Sequence, residues 1–149
     1  MKISNVLNNK VVKFELESST KEGVIKELLS LLVASGKIAS VDQAFQDVMD
    51  REKQMSTGIQ EGVAIPHAKT RAVKDLVAAV GIKKEGLDFD SLDGKPSTIF
   101  ILTLSPIDRI GPHVQFLAEI SKIIQHVEAR EELLKATSVE EILKVFGVK

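Results

Sequence analysis

A chain of 149 residues is the size of one globular domain, and folding at that size buries about two-thirds of the unfolded surface. A net charge of −1 argues against a dedicated nucleic-acid binder, and the absence of cysteine removes disulfides, thiolate nucleophiles and Cys-ligated metal. No stretch approaches the ~20 apolar residues of a membrane span. Met1 to Lys10 has no apolar signal core, so the expected location is the cytoplasm.

Lys10 to Leu16 alternates loosely and predicts a short strand. Ser19 and Glu22 have capping-box spacing, and the helix they open places Val24, Ile25, Leu28, Leu29, Leu31 and Leu32 at helical intervals. Ser35-Gly36 ends it. Ser40 to Gln43 is a second capping box. It starts a helix through about Met55, with Val41, Ala44, Phe45 and Val48 facing inward. A glycine-punctuated loop, Ser56 to Gly62, leads to a short apolar run, Val63 to Ile65, interrupted by Pro66.

Leu76 to Ile82 is continuously apolar and predicts a buried strand. Gly86 to Pro96 (GLDFDSLDGKP) predicts a loop, and Ser97 to Leu104 (STIFILTL) carries the strongest strand signal. Pro112 suits the first position of a helix whose inward stripe is His113, Leu117, Ile120, Ile124 and Val127. Two short helices follow, Val127 to Lys135 and Val139 to Phe146, the last capped by Ser138 and Glu141. The pattern predicts a single α/β domain over residues 1–149, a sheet covered by helices.

Three histidines carry most of the chemical interest. His67 follows Val63-Ala64-Ile65-Pro66, so a stiffened backbone aims its imidazole at the exit of a strand. Taken alone, it also fits a partly buried histidine satisfied by a hydrogen bond. His113 lies in the first turn of its helix, where the dipole disfavours imidazolium. The ring could donate to a phosphoryl group, or it could be a core histidine at a helix start. His126 falls off the apolar stripe and reads as exposed. Arg51 offers a planar fork matched to phosphate oxygens, and the Ser56-Thr57-Gly58 loop adds neutral donors. Each also fits an ordinary surface.

Other chemistries lack their motifs. There is no G-x-x-x-x-G-K-[ST], no G-x-G-x-x-G, no H-E-x-x-H and no G-x-S-x-G. The histidines lack close metal spacing, although folding could gather His67 and His113. A metal-binding or purely structural domain using that pair is therefore one open class.

The run from Arg51 to His67 (REKQMSTGIQEGVAIPH) resembles the signature of type-2 enzyme IIA. This is the fructose/mannitol family of the bacterial phosphoenolpyruvate-dependent sugar phosphotransferase system, which includes nitrogen-regulatory enzyme IIA. The family pattern is roughly R-E-x-x-x-S-T-G-I-x-x-G-[IV]-A-I-P-H. The likeness continues through Gly86–Pro96, an apolar strand and a histidine opening a helix. Members often have Gly at Gln60, Gly or Thr at Ala68, and Leu at Val114, and Pro112 is a further departure.

The resemblance implies a mixed sheet flanked by helices on both faces. It implies that His67 is the phosphorylated nucleophile and that His113 is a second active-site histidine steadying the phosphoryl group. Arg51 would pair with phosphoryl charge, and Ser56 and Thr57 would shape the substrate-binding loop. The donor would be the phosphohistidine of HPr and the acceptor a cysteine of enzyme IIB, with sugar entering through enzyme IIC. No metal, organic cofactor or nucleic acid takes part, and the chain itself does not insert in a membrane. Two uses follow: a histidine phosphotransferase in fructose- or mannitol-type uptake, or a regulator whose phosphorylation state controls partner proteins.

Overall fold

The computed structural model describes residues 2–54, 56–58, 61–109 and 111–148. In chain order the elements are β1 (Val12–Lys13), α1 (Lys21–Ala34), α2 (Val41–Gln54), β2 (Val63–Ala64), β3 (His67–Thr70), β4 (Val77–Leu87), β5 (Ser97–Pro106), α3 (Gly111–Ile124), α4 (Val127–Lys135) and α5 (Val139–Val145). The strands form one mixed sheet. β4 and β5 pair antiparallel at its centre, β1 runs parallel to β4, and β2 and β3 run parallel to β5.

β2 and β3 occupy one line of the sheet. Val63 lies opposite Ile99 and His67 opposite Thr103, the same offset on both sides of Ile65-Pro66. Pro66 has no N–H to give to the ladder, so the strand breaks there. Its carbonyl still accepts from Thr103 N–H at 2.9 Å. His67 is therefore the first residue of a resumed strand rather than a residue beyond a strand's end. The polar sequence His67–Thr70 has no apolar alternation to announce this.

Paired residues of a sheet share a face. His67, Lys69, Thr103, Ser105, Ile101, Val80 and Ala78 point one way, and Ala68, Leu104, Leu102, Phe100 and Gly81 the other. α3 covers the first face, because its His113 ring meets the His67 ring. The amino-terminal layer covers the second. Phe89 packs on Phe100, Lys21 of α1 lies over Phe89, and a Cβ on Gly81 would strike Leu16. Covered on both faces, β5 is buried along nearly its whole length.

Several local expectations shift. The amino-terminal ladder holds only Val12–Lys13 of the predicted Lys10 to Leu16, although Leu16 N–H still reaches the Ile82 carbonyl. The cap of α1 is Thr20, whose hydroxyl accepts from Gly23 N–H, rather than Ser19. Ser40 and Ser138 cap as predicted, accepting from Gln43 and Glu141 N–H. Val41 opens α2 on the solvent side and stays exposed, while Ala44 and Val48 are buried. Met55, the predicted end of that helix, lies outside the described residues.

β4 runs on to Leu87 through a register irregularity after Ile82, taking in the polar Lys83, Lys84 and Glu85. The buried stripe of α3 is His113, Phe116, Ile120 and Ile124. Val127 opens α4 instead and is exposed. No helix among the described residues is long and apolar enough to cross a membrane.

Candidate functional site

The site forms where β3 starts, β5 ends and α3 begins. His67 is half-buried, and its Nδ1 lies 2.7 Å from the Ile65 carbonyl oxygen. A carbonyl can only accept, so in the neutral ring Nδ1 carries the proton and Nε2 keeps a lone pair. Pro66 sits between the two residues, and its restricted backbone holds that carbonyl beside the ring. The local sequence Ile-Pro-His thus selects one tautomer.

The His113 ring lies 5.6 Å from that of His67, centroid to centroid, at 50°. His113 is buried, with 8% of its surface exposed, and its Nδ1 meets no hydrogen-bond partner among the described residues. Burial lowers the affinity of this imidazole for a proton below the ordinary 6.5, and the charges of His67 and Lys69 lower it further. His113 is therefore a neutral ring at pH 7.

Lys69 was not singled out in the sequence. It lies two residues beyond His67 on the same strand face, exposed, and close enough to act on His113. The period-2 rule would have found it had His67–Thr70 been recognised as a strand. His126 is exposed at the start of α4, as its sequence position suggested.

The loop before β2 is held from within. Glu52, in the last turn of α2, is buried and accepts from Thr57 N–H at 2.7 Å and from the Thr57 hydroxyl, and its carboxylate also meets Lys21 Nζ at 3.0 Å. Ser56 donates its hydroxyl to the Phe89 carbonyl and accepts from Gly58 N–H at 3.0 Å. Ile65 N–H returns to the Thr57 carbonyl at 2.9 Å. Gly58 admits no side chain, since a Cβ there would meet Ser91 Oγ at 2.6 Å and the Phe89 carbonyl at 3.0 Å. The hydroxyls of Ser56 and Thr57 are thus engaged in building the loop. Arg51 is half-buried one residue before Glu52, on a helix that packs against β3. Gln60 lies outside the described residues.

Among the described residues, no three of His, Cys, Asp and Glu gather where they could hold a metal ion.

The fold and site define a small α/β protein that presents a paired histidine at one end of a mixed sheet. Residues 5–147 match the family described as Phosphoenolpyruvate-dependent sugar phosphotransferase system, EIIA 2, and the chain belongs to that family. It is 36% identical over 145 residues to the fructose-specific EIIA component of Haloferax volcanii, covering 97% of this chain and 94% of that one. It is 36% identical over 147 residues to the fructose-specific EIIABC component of Bacillus subtilis, covering 99% of this chain but only 23% of that longer protein. The crystal structure of Nitrogen Regulatory Protein IIA-Ntr from Neisseria meningitidis superposes with a TM-score of 0.89 at 29% identity, covering 97% of this chain and 98% of that one.

Proposed function

We propose that the chain, acting as one enzyme IIA domain over residues 1–149, carries a phosphoryl group on Nε2 of His67. The observation that carries this reading is the Nδ1 contact to the Ile65 carbonyl, which leaves Nε2 as the nucleophilic nitrogen. The donor is the phosphohistidine of HPr. Nε2 of His67 attacks phosphorus as the donor's P–N bond breaks, and the donor imidazole keeps that electron pair. No proton moves in this step. The proton stays on Nδ1, donated to the Ile65 carbonyl oxygen, whose partial negative charge offsets the positive charge that phosphorylation places on the ring.

Phosphoryl transfer demands in-line positioning and neutralisation of equatorial oxygen charge rather than covalent help. Neutral His113 supplies a hydrogen-bond donor beside the acceptor nitrogen. Lys69 and Arg51 supply positive charge. Ser56 and Thr57 shape the loop and do not themselves contact phosphate. We assign exposed Ile107 and Val114, on either side of the start of α3, to the rim that a docking protein would cover.

The onward acceptor is a cysteine thiolate of enzyme IIB. The thiolate attacks phosphorus and the P–N electron pair returns to Nε2. Fructose-type uptake is favoured by the two fructose-specific relatives, one of which is named as a joined EIIABC component. Such a relay works on the cytoplasmic side. A second reading is favoured by the likeness to IIA-Ntr: phosphorylation of the same His67 would add negative charge to the rim and switch its binding to target proteins.

The test is incubation with phosphoenolpyruvate, enzyme I and HPr, followed by intact mass and acid treatment, on wild type and His67→Ala. An acid-labile phosphoryl group on wild type alone supports the carrier. Phosphorylated HPr beside an unmodified wild-type chain overturns it. Adding fructose-type IIB then separates the two uses, because only a relay discharges His67 onto its cysteine.

A further inference from the structure

Three polar atoms lie fully enclosed without a hydrogen-bond partner among the described residues: Thr103 Oγ1, Ser105 Oγ and His113 Nδ1. They lie on or against one face of the sheet. Thr103 stands beside His67 in the parallel register and Ser105 beside Lys69, so both hydroxyls project from the face that bears those two residues. His113 lies against His67 on that face with its ring tilted, and the charge of Lys69 reaches it. Thr103 and Ser105 are themselves 0% exposed. They interrupt an otherwise apolar stretch of strand, Ile99 to Pro106, where Val or Ala would bury without penalty.

A buried hydroxyl without a partner is costly. A cluster of one ring nitrogen, whose role follows its tautomer, and two hydroxyls, each able to donate, can form a complementary set. None of the three bonds another directly, so the set is satisfied by one water bridging three polar atoms.

We propose that Thr103 and Ser105 are positioning residues for His113: their hydroxyls, through one bridging water, donate toward Nδ1 and hold the ring as the Nε2–H tautomer. The outward Nε2–H then faces the phosphoryl position on His67. The two rings so acquire opposite tautomers. His67 keeps its proton on Nδ1 through the Ile65 carbonyl and presents a lone pair, and His113 keeps its proton on Nε2 and presents a donor. This assignment deepens the carrier reading and rests on it for its purpose, but the tautomer itself is readable without any transfer.

The experiment compares wild type, the double variant Thr103→Val/Ser105→Ala, and the hydroxyl-retaining Thr103→Ser. Imidazole 15N shifts of the unphosphorylated chains report the His113 tautomer, and single-turnover transfer from phospho-HPr reports its use. Thermal melting verifies the fold. Wild type and Thr103→Ser should show His113 protonated on Nε2. The double variant should lose that preference and accept phosphate roughly tenfold more slowly, the scale on which partners behind functional histidines act. An Nδ1–H tautomer in wild type overturns the assignment, as does an unchanged tautomer in the double variant. A changed tautomer with an unchanged transfer rate overturns the positioning role. Should the double variant fail to fold, the single variants Thr103→Val and Ser105→Ala are read by the same criteria. A wild type that never accepts phosphate defeats the carrier reading while leaving the tautomer result to stand or fall alone.

Discussion

The two sides of His67 are built on opposite terms. On the loop side, from Glu52 to Ile65, the polar groups find one another: Glu52 with Lys21 and Thr57, Ser56 with Phe89 and Gly58, Thr57 with Ile65. On the helix side, Thr103, Ser105 and His113 are as deeply buried, yet each has a polar atom without a partner among the described residues. A satisfied network rigidifies a backbone, whereas unsatisfied buried groups are a liability that a fold retains where function uses them. The loop side holds the shape, and the helix side is the one that the proposed carrier chemistry would use.

This contrast breaks most completely at the residue between the two sides. His67→Ala should abolish acid-labile phosphorylation in the mass assay while leaving the unfolding midpoint close to wild type. Next in size is His113→Gln, which removes a preorganised donor. Single-turnover transfer to His67 should slow by about 10²–10³-fold. Urea unfolding should change little, because an incompletely satisfied group is being replaced.

The loop side should answer in the opposite sense. Glu52→Ala strips a buried N–H and a buried hydroxyl of their acceptor and should lower stability by about 2 kcal/mol in urea. A stability unchanged by this substitution would mean that the loop is held by something else. Thr57→Val, which removes one of those donors, should cost about 1 kcal/mol by the same measurement. Any transfer defect in either variant should vanish under conditions where the fold is fully populated.

Acid sharpens the comparison. Unfolded His113 takes its proton near the ordinary 6.5 and folded His113 takes it only at lower pH, so the unfolded chain binds the extra proton between the two. Stability should be complete above that value and decline as pH falls through the window, and His113→Gln should remove this decline. Glu27 marks a separate acid limb remote from the site. Burial would raise its pKa, but Lys13 at 2.7 Å and the N–H groups of Glu17 and Ser18 outweigh that and hold it at about 2 against an ordinary 4.5. That contribution is present above 4.5 and is lost as pH falls toward 2, a slope that Glu27→Gln should flatten in acid unfolding curves.

Much of this was legible along the chain because it depends on neighbours in sequence. Helix caps at Ser40 and Ser138, the stop at Ser35-Gly36 and the apolar strand from Ser97 follow from rules of spacing three or four residues long. The His67 tautomer was not read there: it rests on the Ile65 carbonyl lying 2.7 Å from Nδ1. The run Arg51 to His67 also carried the family. Elsewhere competing local choices were left to the fold. Ser19 and Thr20 are both competent caps, and the helix start chose Thr20. His67–Thr70 has no apolar alternation, and it is a strand because β5 offers it a ladder.

What only the tertiary structure decided is what meets across the sheet. Thr103 and Ser105 read as ordinary strand residues until the register sets them beside His67 and Lys69. Taken alone, His113 reads as a core histidine before it reads as function, until α3 lays it 5.6 Å from His67. The physical reason is that spacing rules act within a few residues, whereas this site joins groups some forty residues apart. Their meeting is fixed by strand pairing and helix packing, and no local pattern in the sequence encodes that geometry.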